Sequence, residues 1–192
     1  MIKIAVIGDI GSGKSFVAKQ FGFPVFNADF EVKKIYKKNK KCYQKLKKIL
    51  PSYIKNFPIN KSRLVDAILA NNENIVKIGK IVHPEVRNRM NNFLKENKKK
   101  KFVVLDIPLL LENKINKKGD VIIFVDAKKK AINRRLKKRR NFNPKIVKKL
   151  RKLQLPLEVK KKKSNFIVKN NFKNNSVKKN VKRIIKEILL NA

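Results

Sequence analysis

The sequence predicts a three-layer α/β fold around a parallel sheet. Two observations carry that expectation. Short β-rich apolar runs alternate with helical patterns along the chain. The first such run passes straight into a glycine-dense turn and then into a helix. With 192 residues the chain is long enough to bury a real core as one domain.

Residues 2–7, Ile-Lys-Ile-Ala-Val-Ile, suit a strand covered on both faces. After the glycines, Phe16, Val17 and Phe21 fall at helical spacing; Gly22 ends that helix and Pro24 blocks its continuation. Residues 24–29 read as a second short strand ending in polar residues, which completes a βαβ unit. From Phe30 to about Leu50 the stripe Val32, Ile35, Tyr36, Tyr43, Leu46 and Ile49 predicts one helix, and Pro51 and Pro58 bracket a loop. Helical patterns resume over Lys61–Ala70 and from Glu73 to about Leu94, with a break expected at His83-Pro84. This helix-only block is too long for one crossover, so an inserted helical cap is expected over about 30–100. Phe102–Asp106 and residues 120–125 read as further buried strands, separated by the proline-broken apolar stretch 107–112. A basic helix is expected over about 128–140, another after Pro144, a last strand over 166–168 and an amphipathic helix over 177–190. The lysine runs 98–101 and 160–163 read as solvated helix ends or loops.

The formal net charge of +39 raises nucleic acid as a partner. The excess is almost all lysine, spread through every segment and travelling with Asn, Ile and Phe, four residues with A/T-rich codons. We read it as composition bias, because a nucleic-acid surface concentrates arginine and aromatics along one face. No apolar run approaches the roughly 18 residues of a membrane span, so no membrane partner is expected. The N-terminal apolar run is too short for a signal-peptide core. The single cysteine, Cys42, admits no internal disulfide, and the expectation is a cytoplasmic monomer.

Gly8-x-x-x-x-Gly13-Lys14-Ser15 matches the P-loop pattern, after a strand and before a helix as that pattern requires. Backbone N–H groups left uncovered at Gly11 and Gly13, with Ser12 between them, wrap a phosphate chain in a nest, and the following helix adds its positive end. Lys14 is the expected bridge between β- and γ-phosphates, and the Ser15 hydroxyl the expected Mg²⁺ ligand, with Asp29 or Asp106 as water-mediated candidates. Asp29, at the end of the second strand, admits two readings: an acceptor-side base, or an N-cap for the next helix. Asp106 ends a strand of Walker B type and is open to the same alternative. His83, the single histidine, precedes Arg87 by one helical turn, a candidate anion-binding patch. Arg134, Arg135, Arg139 and Arg140 are either a solvated face or arginines that close over a triphosphate.

Gly11 to Ser15, Asn27-Ala28-Asp29, "HPEVRNRM" at 83–90, "VLDIPLLLE" at 104–112, "RRLKKR" at 134–139 and "LQLPLEVKKKKSNFIVKN" at 153–170 together resemble the dephospho-CoA kinase family nearly end to end. The resemblance implies a P-loop NTPase fold with a five-stranded parallel sheet. It divides the chain into a core of about 1–29, 101–127 and 164–192, a CoA-side helical insertion of about 30–100 and a helical lid of about 128–163. It implies transfer of the ATP γ-phosphoryl group to the ribose 3′-hydroxyl of dephospho-CoA, with Mg²⁺. Asp29, Lys14 and Arg139 are then the catalytic candidates. The ATP side would comprise Gly11, Ser12, Gly13, Lys14, Ser15, Phe16, Arg135, Arg139 and Asn170; the acceptor side Asp29, His83, Arg87, Asp106, Pro108 and Leu109. Arg135 and Arg139 fall on the lid helix. The chain departs from the family pattern at Ile7, Asp9, Phe16, Asn27 and Ser164-Asn165. Asp9 is expected to cost triphosphate affinity unless it points to solvent. Two other functions compete: another small-molecule or nucleoside-monophosphate kinase of this fold, and a basic nucleic-acid-binding P-loop protein.

Overall fold

Strand β1 (Ile2–Gly8) lies at the centre of the sheet, and its run of β-branched residues is covered on both faces. The computed structural model describes residues 1–140 and 142–190. The glycine loop leads from β1 to α1 (Lys14–Gln20), which returns to β2 (Val25–Asn27). Four helices follow: α2 (Ala28–Lys38), α3 (Lys40–Ile49), α4 (Lys61–Ala70) and α5 (Glu73–Glu96). Then come β3 (Phe102–Asp106), β4 (Val121–Asp126), α6 (Lys129–Lys137), α7 (Pro144–Lys152), α8 (Leu157–Lys162), β5 (Phe166–Lys169) and α9 (Asn174–Leu190). The sheet has five strands in the order β2-β3-β1-β4-β5, all parallel. The connection from β1 runs to the β2 side of the sheet and that from its neighbour β4 runs the other way to β5, so the crevice beyond the carboxyl ends of these two strands is a topological switch point, where such sheets bind ligands.

The chain divides into two compact units, residues 1–27 with those from 97 onward, and Ala28–Glu96. In the sheet unit, alternation along the strands sends Ile4, Val6, Val104, Ile123 and Val125 to one face. There they pack against Val17 of α1, against Phe21 at its C-cap and against Val181 and Ile184 of α9. The opposite face receives α8, which touches β1. In the helical unit, Ile35, Leu46, Ile54, Leu64, Ala67 and Ile78 form a separate buried cluster, with α5 packed along α2, α3 and α4.

Several local expectations change. The helix expected over 30–50 is two, because the Asn39 side chain accepts a hydrogen bond from the Cys42 N–H at 2.8 Å and starts α3 as an N-cap. The second strand stops at Asn27, and Ala28 and Asp29 already belong to α2. α5 runs unbroken through Pro84. Proline removes one backbone bond and strains the turn before it, at about 3 kcal/mol, and the packing of a 24-residue helix against three others offsets that loss. The basic helix ends at Lys137, short of 140, and the chain turns before Asn143 caps α7. The stretch 160–163 is not solvated throughout: α8 occupies 157–162, and Lys160 is fully buried.

Candidate functional site

The phosphate loop has the conformation its glycines permit. Gly11 and Gly13 sit at φ 87° and 92°, which side chains rarely adopt. Space excludes side chains as well: a Cβ on Gly13 would lie 2.3 Å from the Asn170 amide nitrogen, and one on Gly11 would lie 3.0 Å from Leu136 of α6. Lys14 Nζ donates to the carbonyls of Gly8 at 3.2 Å and Asp9 at 2.8 Å, so its ammonium lies across the loop. The Phe16 N–H bonds to the Gly13 carbonyl and its ring packs against the core, so this family departure serves packing. Ser12 is fully buried; its carbonyl accepts a hydrogen bond from the Asn170 side chain at 2.8 Å, tying the loop to the chain after β5.

Asp9 departs from expectation. It neither points to solvent nor stands unbalanced: its carboxylate is 12% exposed and accepts two hydrogen bonds from Arg151, at 3.1 Å from Nε and 2.8 Å from Nη2. Nothing in the sequence pattern singled out Arg151, because the pair joins positions 142 residues apart.

Beside the loop, Asn27 at the end of β2 donates from its amide to the Ser15 hydroxyl at 3.3 Å and to the Asp106 carboxylate. The register pairs Asn27 directly with Asp106, which fixes this cluster at the carboxyl edge of the sheet. A second acid at position 27 would put two carboxylates side by side, a repulsion the amide converts into a bond. Ser15 and Asp106 offer one hydroxyl and one carboxylate, the hard oxygen donors Mg²⁺ takes when phosphates and waters complete its shell. Among the described residues no group of three or more His, Cys, Asp or Glu stands ready to hold a metal.

The segment 128–163 contributes in three places. Arg135 of α6 lies over the Phe172 ring at 4.3 Å, and both approach Gly13. Arg139 is exposed and lies past the end of α6, in the following turn rather than on the helix. Glu112, after β3, accepts from the Leu155 N–H at 2.9 Å and pairs with the buried Lys160 ammonium at 2.7 Å. That bridge anchors Gln154, Leu155, Pro156 and Leu157, which with Asp9, Arg151 and the end of β4 line a cavity of about 370 Å³. Pro108 and Leu109 sit half-buried in the turn after Asp106.

In the helical unit, Asp29 is exposed in the first turn of α2. It is therefore not an N-cap; a carboxylate there favours the helix through the dipole and stays available. His83 and Arg87 lie one turn apart on the same face of α5. The His83 ring rests on Gly79, where a Cβ would lie 3.2 Å from it. Partial desolvation, then the Arg87 charge, pushes its pKa below the ordinary value of 6.5, so at neutral pH the ring is uncharged beside a fixed cation. Nearby, Glu31 bonds to Lys34 at 2.8 Å and to Arg89 at 3.0 Å. Burial pushes its carboxyl up, but those two cations outweigh it and the net shift is down.

Comparison with known proteins agrees with this geometry. The family model CoaE, dephospho-CoA kinase, matches residues 2–176. A protein of Wolbachia sp. subsp. Brugia malayi named dephospho-CoA kinase is 34% identical over 98% of this chain and 99% of its own length. Among solved structures, TT1252 from Thermus thermophilus superposes with a TM-score of 0.75 at 25% identity, covering 99% of this chain and 97% of its own. The dephospho-CoA kinase from Campylobacter jejuni shares the fold, with a TM-score of 0.63 at 23% identity over 97% and 96% of the two chains. A parallel sheet of this order, a phosphate loop with Lys14 and Ser15, and a family match across most of its length establish that the chain belongs to the dephospho-CoA kinase family.

Proposed function

We propose that this protein transfers the γ-phosphoryl group of ATP to the ribose 3′-hydroxyl of dephospho-CoA, giving CoA and ADP, the last step of CoA synthesis. The observation that carries the reading is the convergence of Lys14, Ser15, Asn27 and Asp106 at the carboxyl edge of the sheet, in a chain of this family. The loop N–H groups and Lys14 bind the triphosphate and gather charge on its β,γ side. Mg²⁺ would be held by Ser15, with Asp106 reaching it through water, and supplies charge neutralisation at the phosphate oxygens. The 3′-oxygen forms the new bond to phosphorus as the bond from phosphorus to the β,γ-bridging oxygen breaks. The hydroxyl proton passes to the Asp29 carboxylate, and ADP leaves. Such a transition state is loose and demands little activation of the nucleophile, so Asp29 acts chiefly by orienting the hydroxyl. His83 and Arg87, a neutral donor beside a cation, suit the phosphate-bearing arm of the acceptor, and Pro108 and Leu109 its apolar contacts. Arg135 and Arg139 balance charge on the donor side, and Asn170 holds the loop's shape at the adenine side.

The test is direct: purified protein with MgATP and dephospho-CoA, followed by chromatography. CoA and ADP forming in equal amounts is the expected result. AMP, dTMP and shikimate run alongside test for another kinase of this fold, and turnover of one of them in preference to dephospho-CoA overturns the acceptor assignment. Steeply salt-dependent DNA or RNA binding without ATP consumption would instead indicate a nucleic-acid-binding protein.

A further inference from the structure

A phosphate loop works because its backbone presents N–H groups to an anion, and a carboxylate inside it has the wrong sign. Asp9 is such a carboxylate. It is the second residue of the loop and is buried. Its Oδ1 accepts from the Ile10 N–H at 2.6 Å and from Arg151 Nε at 3.1 Å, and its Oδ2 accepts from Arg151 Nη2 at 2.8 Å. Its carbonyl accepts from Lys14 Nζ at 2.8 Å and from the Ser12 N–H at 3.1 Å. Asp9 is thus joined to both the anchoring ammonium and the loop's tightest turn. The guanidinium fork opposite it is the geometry that arginine, and not lysine, provides. α7 carries Lys145, Lys148, Lys149 and Lys152, yet arginine stands at the position that meets the carboxylate.

We infer that Arg151 is a positioning residue of the phosphate loop: it cancels the Asp9 charge and pins the loop to α7, so that triphosphate binding in this chain requires a cation from outside the loop. Without it, an uncompensated carboxylate stands in the loop that takes the triphosphate, where the effective dielectric is far below that of water. The importance of Arg151 is conditional on Asp9, and that conditionality separates the inference from a general structural role. The inference rests on the loop binding ATP, as proposed above.

The experiment is a double-mutant cycle on the full chain: R151Q, D9N and D9N/R151Q, with MgATP affinity by calorimetry, steady-state kinetics with dephospho-CoA and thermal melts. R151Q is expected to weaken MgATP binding about tenfold or more, equivalent to at least ~1.4 kcal/mol, and to raise KM for ATP more than it lowers kcat. D9N/R151Q is expected to return to within about threefold of wild type. If the melts show R151Q unfolded, R151M alone and R151M combined with D9N make the same comparison: a loss of affinity confined to the protein that keeps the Asp9 carboxylate supports the inference. Unchanged affinity in the Arg151 variant, or equal weakening with and without the Asp9 carboxylate, overturns it while leaving the kinase reading intact. Failure of the wild-type protein to bind MgATP overturns both.

Discussion

The two compact units differ in how they hold the polar side chains of the candidate site. In the sheet unit, the polar groups around the phosphate loop are tied to one another: Asp9 to Arg151, Asn27 to Asp106 and Ser15, Asn170 to Ser12, Glu112 to Lys160. In the helical unit, Asp29, His83 and Arg87 stand exposed on helix faces above an apolar cluster. A site that grips a triphosphate needs its donors fixed before the ligand arrives, because reorganisation during reaction costs rate. Under the proposed function the helical unit would take a long, flexible acceptor, which gains more from accessible groups. The contrast teaches that charge in this very basic protein acts locally, through particular pairs.

Four measurements break or sharpen that contrast. The largest effect is expected from Lys14→Ala, which removes the loop's anchoring ammonium: turnover should fall by roughly 10²-fold or more, with ATP affinity reduced as well. Asp29→Asn should lower kcat strongly and leave ATP affinity near wild type; a kcat close to normal removes Asp29 from the mechanism. Lys160→Met leaves the Glu112 carboxylate facing an apolar neighbour, and urea titration should show a loss of about 3 kcal/mol, recovered in large part by Lys160→Met with Glu112→Leu. The smallest effect concerns pH. Because the folded protein holds the His83 imidazole below its ordinary pKa of 6.5, the unfolded chain binds that proton more readily. Stability from this source is full above pH 6.5 and is lost as pH falls through the folded value, and His83→Gln should flatten the slope there.

Where local chemistry dictates structure, the sequence was legible. β1, the loop and α1 followed from a β-rich run, glycines and helical spacing, and α4 ended where its pattern did. The family and the parallel sheet followed from motifs spread along the chain. What escaped was decided at a distance. Lys160 sits in a lysine run that reads as solvated, and its partners Glu112 and Gln154 explain its burial. Arg151 is one cation among many on α7 until Asp9 is placed against it. Pro84 signals a break that α2, α3 and α4 overrule by packing. Asn39 carried a readable cap signal, masked by the apolar stripe continuing on either side. The family departures resolve the same way: Asn165, where the family has an acid, accepts from the Ile122 N–H at 2.8 Å and secures the start of β4.

The central place of β1 also bears on how the chain is made. Its partners are residues 102–106 on one side and 121–125 on the other. A ribosome therefore releases β1 long before anything exists for it to pair with, and the strand waits as an apolar edge while the next hundred or so residues are synthesised. The helical cluster, by contrast, draws all its members from one contiguous stretch and is complete before β3 emerges. Synthesis thus completes the helical cluster first and the parallel sheet last, leaving the apolar first strand in need of protection during the interval.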